Sequence, residues 1–133
     1  MRYLAALATI AVLLASSGCN KDDDQGYRPA GISFRSDSGY TYLNDTVVVS
    51  DTLLIGAMVA EGSQRLRTVF VQMRVNGGAW VQKDSLPFTQ NPMALNVQAI
   101  MGSTARTEEW SILAVERSGD ATRRSLTFTV VEE

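Results

Sequence analysis

The 133-residue sequence predicts an all-β domain built as a two-layer sandwich, and three observations carry that prediction. Apolar and polar residues alternate through a series of short segments, the period of a half-buried strand. Gly, Asn, Asp and Pro punctuate those segments where turns need them. No stretch beyond residue 18 shows the 3.6-residue period of an amphipathic helix.

Taken in order, short strands are expected over 32–34, 46–49 and 79–86, with longer ones between and after them. Leu53, Ile55, Ala57 and Val59 share one face. Val69, Val71, Met73 and Val75 share another, turned away from Thr68, Gln72 and Arg74. Leu95, Val97 and Ala99 follow, then Trp110, Ile112 and Ala114, and last Leu126, Phe128 and Val130. Asn76-Gly77-Gly78 supplies positive-φ residues for one hairpin, and Ser118-Gly119-Asp120 for the final one. Pro87 and Pro92 are expected to bracket a loop, where a missing N–H breaks no ladder. Seven or eight strands in this length fit an immunoglobulin-like antiparallel β-sandwich better than a closed barrel.

Composition narrows the function classes. With 45% hydrophobic and 20% charged residues, the chain is globular. A net charge of −2 offers no basic surface for nucleic acid. Zero histidines and one cysteine exclude Ser-His-Asp and Cys-His machinery, zinc clusters and an internal disulfide. Neither a metal nor another cofactor is expected, and no catalysis. Glu108 and Glu109 are adjacent, so on a strand they point to opposite faces and cannot work as a carboxylate pair. Asn44, Asp45 and Asp51 carry oxygen ligands suited to calcium, but turn formation is their ordinary use.

The first 18 residues have a different character. Arg2 precedes an apolar stretch from Leu4 to Ala15, and Ser16-Ser17-Gly18 leads to Cys19. That is a secretory signal peptide, too short at ~1.5 Å per residue to span a ~30 Å hydrocarbon core. Small residues directly before a lone cysteine resemble the bacterial lipobox, in which the thiol receives a diacylglyceryl group. Ser16 departs from the leucine or valine more usual there. Lys21-Asp22-Asp23-Asp24 resembles the export signal of surface lipoproteins of the Bacteroidetes. The expected organisation is a signal peptide over 1–18, a lipidated Cys19 with an acidic tether to residue 29, and the sandwich over 30–133. The resemblance implies anchoring in the outer membrane facing outward, with the periplasmic side as the alternative.

A wider resemblance runs through Gly31-Ile32-Ser33-Phe34, Ser38-Gly39-Tyr40-Thr41, Leu53 to Gly56, Leu66 to Gly78 and Glu109-Trp110-Ser111-Ile112. It is to small Bacteroidetes lipoproteins with one immunoglobulin-like domain, and it implies a sandwich and a lipid anchor but no activity. Three triplets, Asp45-Thr46-Val47, Asp51-Thr52-Leu53 and Asp84-Ser85-Leu86, resemble the O-glycosylation signal of exported proteins in that group. They mark Thr46, Thr52 and Ser85 as candidate acceptors; a turn Asp before a β-forming residue reads the same way.

Binding is the function class left, and aromatics are its candidates. Phe34, Trp110 and Phe128 lie on apolar faces and belong to the core. Tyr40 and Tyr42 share a side of a polar segment. Trp80 depends on the hairpin: a two-residue Asn76-Gly77 loop sets it opposite Met73, inside, and a three-residue loop sets it opposite Arg74, outside. The expected function is a non-catalytic interaction or structural module whose partner is an envelope protein. The alternative is a glycan-binding accessory lipoprotein in polysaccharide capture, which needs Trp80 on one patch with Tyr40 or Tyr42.

Overall fold

A computed structural model of the chain describes residues 26–133. The expected signal peptide, Cys19 and Lys21 to Asp24 lie outside the described residues. Eight strands follow one another: β1 (Gly31–Phe34), β2 (Asp45–Val48), β3 (Thr52–Ala60), β4 (Leu66–Val75), β5 (Val81–Pro87), β6 (Met93–Ile100), β7 (Arg106–Glu116) and β8 (Ala121–Val131). They form a three-stranded sheet in the order β1-β3-β6 and a five-stranded sheet in the order β2-β8-β7-β4-β5. The hairpin partners β4 and β5, and β7 and β8, stay within one sheet. The β1–β2, β2–β3, β3–β4, β5–β6 and β6–β7 connections cross between layers. This is the strand order of an immunoglobulin-like sandwich.

Two details depart from the expected pattern. The sandwich is not wholly antiparallel, because β2 runs parallel to β8, with Asp45 opposite Phe128 and Val48 opposite Val131. β2 reaches that edge through the 35–44 linker rather than a hairpin, so no reversal is imposed on it. Pro87 closes β5 instead of lying in the following loop. It is tolerated there because β5 is an edge strand with one side free of ladder bonds.

The alternating rows meet as their spacing predicts. Ile55, Ala57 and Val59 of β3 and Leu95 and Ala99 of β6 face Val69, Val71 and Met73 of β4. Trp110, Ile112 and Ala114 of β7 and Leu126, Phe128 and Val130 of β8 complete the core, with Phe34 and Val97 packed at its margin. Ala30 is the first buried residue of the described chain.

The inner row of β7 begins and ends on carboxylates. Glu108 is fully buried, and its oxygens accept from Gly102 N–H at 2.7 Å, Arg106 Nε at 2.9 Å and Trp110 Nε1 at 3.1 Å. Those bonds fasten the β6–β7 loop. Glu116, at the other end, accepts from the Tyr27 hydroxyl at 2.8 Å, which raises the tyrosine pKa. Arg28 N–H donates to Ser63 Oγ at 2.9 Å and Arg28 C=O accepts from Ser63 N–H at 3.0 Å. The end of the expected tether is therefore bound to the domain.

Removing a buried acceptor strands its donors, a charged one above all. Glu108→Ala is expected to lower stability by about 3–5 kcal/mol, read from chemical denaturation. An unchanged midpoint would mean that the clamp carries no weight.

Candidate functional site

Trp80 is placed by two local irregularities in the β4–β5 hairpin. Asn76 and Gly77 both adopt positive φ, 49° and 71°, and Gly78 N–H donates to Val75 C=O at 2.9 Å. That is the tight two-residue turn, with Val75 facing Gly78. The ladder then resumes one residue out of step, with Met73 opposite Val81 and Gln72 opposite Gln82. A second slip at Lys83 leaves Val71 opposite Asp84 and Val69 opposite Leu86. Between the two slips the faces of the chain are inverted, so Trp80 stands outside beside Arg74. The sequence alternatives tied its placement to loop length alone. The loop is the short one, yet the register is that of the longer one.

The outer face around Trp80 is a connected polar network. Arg74 and Arg123 lie over the indole, their guanidinium carbons 4.5 Å and 3.9 Å from the ring centroid. Such stacking is worth roughly 0.5–2 kcal/mol, more when water is excluded. Arg74 Nε pairs with Glu109 Oε1 at 2.7 Å, and the Ser125 hydroxyl donates to Glu109 Oε2 at 2.6 Å. Arg123 Nη1 donates to Ser111 Oγ at 2.6 Å. Burial, reinforced by the neighbouring Arg74 charge, holds Arg123 below the usual arginine range, and it remains a cation. Among the described residues no carboxylate forms a salt bridge with Arg123. Gln72, between Arg74 and Phe70 on the same face, keeps its Oε1 buried without a hydrogen-bond donor.

The tyrosines are elsewhere. Tyr40 lies across the outer face of the other sheet, over Gly56, where a Cβ would come within 2.5 Å of its ring. Arg35 stacks on it at 4.5 Å, and its hydroxyl donates to Asn96 Oδ1 at 3.1 Å. Tyr42 is 42% exposed near the same end of the 35–44 linker. Tyr40 and Trp80 thus occupy outer faces of opposite layers and form no patch together.

The other candidates fall into place as follows. Thr46, Thr52 and Ser85 are all exposed. Asp45 and Asp84 each accept the N–H of the following residue at 2.8 Å. Asn44 Oδ1 takes the Thr127 N–H at 2.8 Å and Asp51 Oδ2 the Val48 N–H at 3.4 Å. These side chains support backbone, and no group of three metal-ligating side chains occurs among the described residues. Glu108 points inward and Glu109 outward, as adjacency requires. Arg123, Ser125 and Gln72 have no signal in the sequence as binding residues; only the strand register brings them to Trp80.

No protein-family model matches the chain, and no curated protein matches it. Among solved structures, that of murine CRIg is similar at 9% identity and a TM-score of 0.40, over 79% of this chain and 100% of that one. The domain is immunoglobulin-like. Its strand order, β1-β3-β6 against β2-β8-β7-β4-β5, makes it so.

Glu109 ties the arginine network to pH. The Ser125 hydroxyl holds its carboxyl below the ordinary glutamate range; burial opposes this, and the Arg74 bond with the Arg74 and Arg123 charges lowers it further. A depressed folded pKa stabilises the fold above the unfolded value and loses that contribution as pH falls through the folded one. Glu109→Gln is therefore expected to cost stability at neutral pH, with the two stability curves converging below about pH 4.3. Parallel curves from neutral to acid pH would contradict this.

Proposed function

We propose that this chain is a lipid-anchored lipoprotein of the outer membrane, facing outward, whose immunoglobulin-like domain is a non-catalytic interaction module. The observation that carries the reading is Trp80 held outside between Arg74 and Arg123. Tryptophan and arginine are the side chains that dominate binding energy at protein interfaces. Glu109 neutralises one arginine, so the face retains a cation at Arg123 and suits a partner that presents a carboxylate there. The small residues before Cys19 and the Lys21 to Asp24 address support the anchor and its outward side. Exposed Thr46, Thr52 and Ser85 are consistent with use as O-glycosylation acceptors.

The glycan reading needed Trp80 beside Tyr40 or Tyr42. Tyr40 lies on the outer face of the opposite layer, which favours a protein partner instead.

Pull-down from membranes with the Cys19-anchored chain tests the module. Trp80→Ala and Arg123→Ala are each expected to reduce recovery of the partner by about tenfold or more, while Tyr42→Ala leaves it unchanged. Equal recovery with all variants would sink the assignment of this face. The anchor and its side are read separately. Cys19→Ala is expected to release the chain from the membrane fraction, and protease added to intact cells to digest the wild-type domain. Full protection would place it on the periplasmic side.

A further inference from the structure

The four strands at the sheet edges are not equally protected. An edge strand exposes unpaired N–H and C=O groups, and proteins blunt such edges with shortness, charge, proline or bulges. β1 and β2 have four residues each, and Arg124 Nη1 caps the Ile32 carbonyl at 2.8 Å. β5 carries Lys83, Asp84, Pro87 and a bulge. β6 has none of these. Met-Ala-Leu-Asn-Val-Gln-Ala-Ile contains no charge and no proline, and it pairs with β3 in unbroken register over all eight residues. The 88–92 connection from β5 adds no further strand beside it, and no other described strand pairs with it.

The backbone direction at that edge follows from the end of the ladder. Met101 N–H donates to Asp51 C=O at 2.7 Å. By antiparallel alternation, odd-numbered residues turn their backbone groups to β3, and Ala94, Asn96, Gln98 and Ile100 turn theirs to the open side. Those four side chains are exposed, Ile100 to 61%.

We propose that β6 is a self-association edge, at which two copies of this chain pair β6 with β6 antiparallel about a two-fold axis through Val97. The sequence of the strand is complementary to itself in that register. Each outward-turned residue meets another as a hydrogen-bonded pair, Ala94 with Ile100 and Asn96 with Gln98, and Leu95 meets Ala99. Small residues oppose large ones, amides oppose amides, and no like charges meet. Asn96 Oδ1 already accepts from Tyr40, which leaves its side-chain NH2 to donate to Gln98 of the second copy. Beside Ala94 lies an open groove of about 650 Å³, lined by Met58, Leu86, Pro87 and Met93 among others. Ile100 of the second copy stands opposite Ala94, one of the residues that line this groove. The two three-stranded sheets become one sheet, an isologous contact that closes on itself. This inference does not depend on the lipid anchor or on the Trp80 face.

The test is sedimentation velocity of the full chain in detergent solution over a concentration series. The wild type is expected to dimerise. Gln98→Pro removes an N–H that plays no part in the β3 ladder, so the fold is kept while the dimer weakens by about tenfold or more. Ala94→Lys with Ile100→Lys sets like charges opposite each other and is expected to give monomer. Ala94→Lys with Ile100→Glu sets opposite charges there and is expected to restore dimer. Circular dichroism confirms that each variant is folded. A monomeric wild type throughout, or a dimer indifferent to the charge swap, would overturn the proposal.

Discussion

Trp80 and Leu86 are six residues apart, so on a regular strand they would share a face. One stands outside and the other inside, and the chain reconciles them with one of its two register slips. The first slip follows the Asn76-Gly77 turn, and the second falls at Lys83. Between them the strand is turned over. The place of Trp80 on the outer face of the five-stranded sheet depends on that inversion. Without it the indole would lie opposite Met73, and Arg74 and Arg123 would be two cations with Glu109 alone between them.

The core tolerates this because β5 is an edge strand. A slip in β7, flanked by β4 and β8, would break two ladders and turn Trp110, Ile112 and Ala114 out of the core. A slip in β5 costs ladder bonds on one side only. The same economy appears at the ends of β7, where Glu108 and Glu116 occupy the last inward positions and convert the rims of the core into clamps. One holds the β6–β7 loop and the other the segment carrying Tyr27. The Trp80 face is built at an edge strand, where a slip costs ladder bonds on one side only.

The core was legible in the sequence because period-two burial is a local signal. Val69, Val71 and Met73, or Leu126, Phe128 and Val130, announce their inner face with no knowledge of what they meet. The hairpin turns were legible for the same reason. The face of Trp80 was not, because a bulge has no local signature in Gly78-Ala79-Trp80 or in Lys83; it exists to reconcile residues on either side of it. Arg123 was illegible for another reason. It stands on β8, and its meeting with Trp80, just before β5, needs the order of four strands. The parallel β2 also escaped, since alternation does not encode direction. Tyr40 followed a third logic: its partner is an absence, the missing side chain of Gly56.

The register slips present Trp80 on the outside with two arginines over its ring, and proton NMR reads that placement directly. Nuclear Overhauser contacts from the Trp80 indole are predicted to run to the side-chain protons of Arg74 and Arg123. Contacts from that indole to Met73 and Leu126 would put the ring in the core and contradict the account.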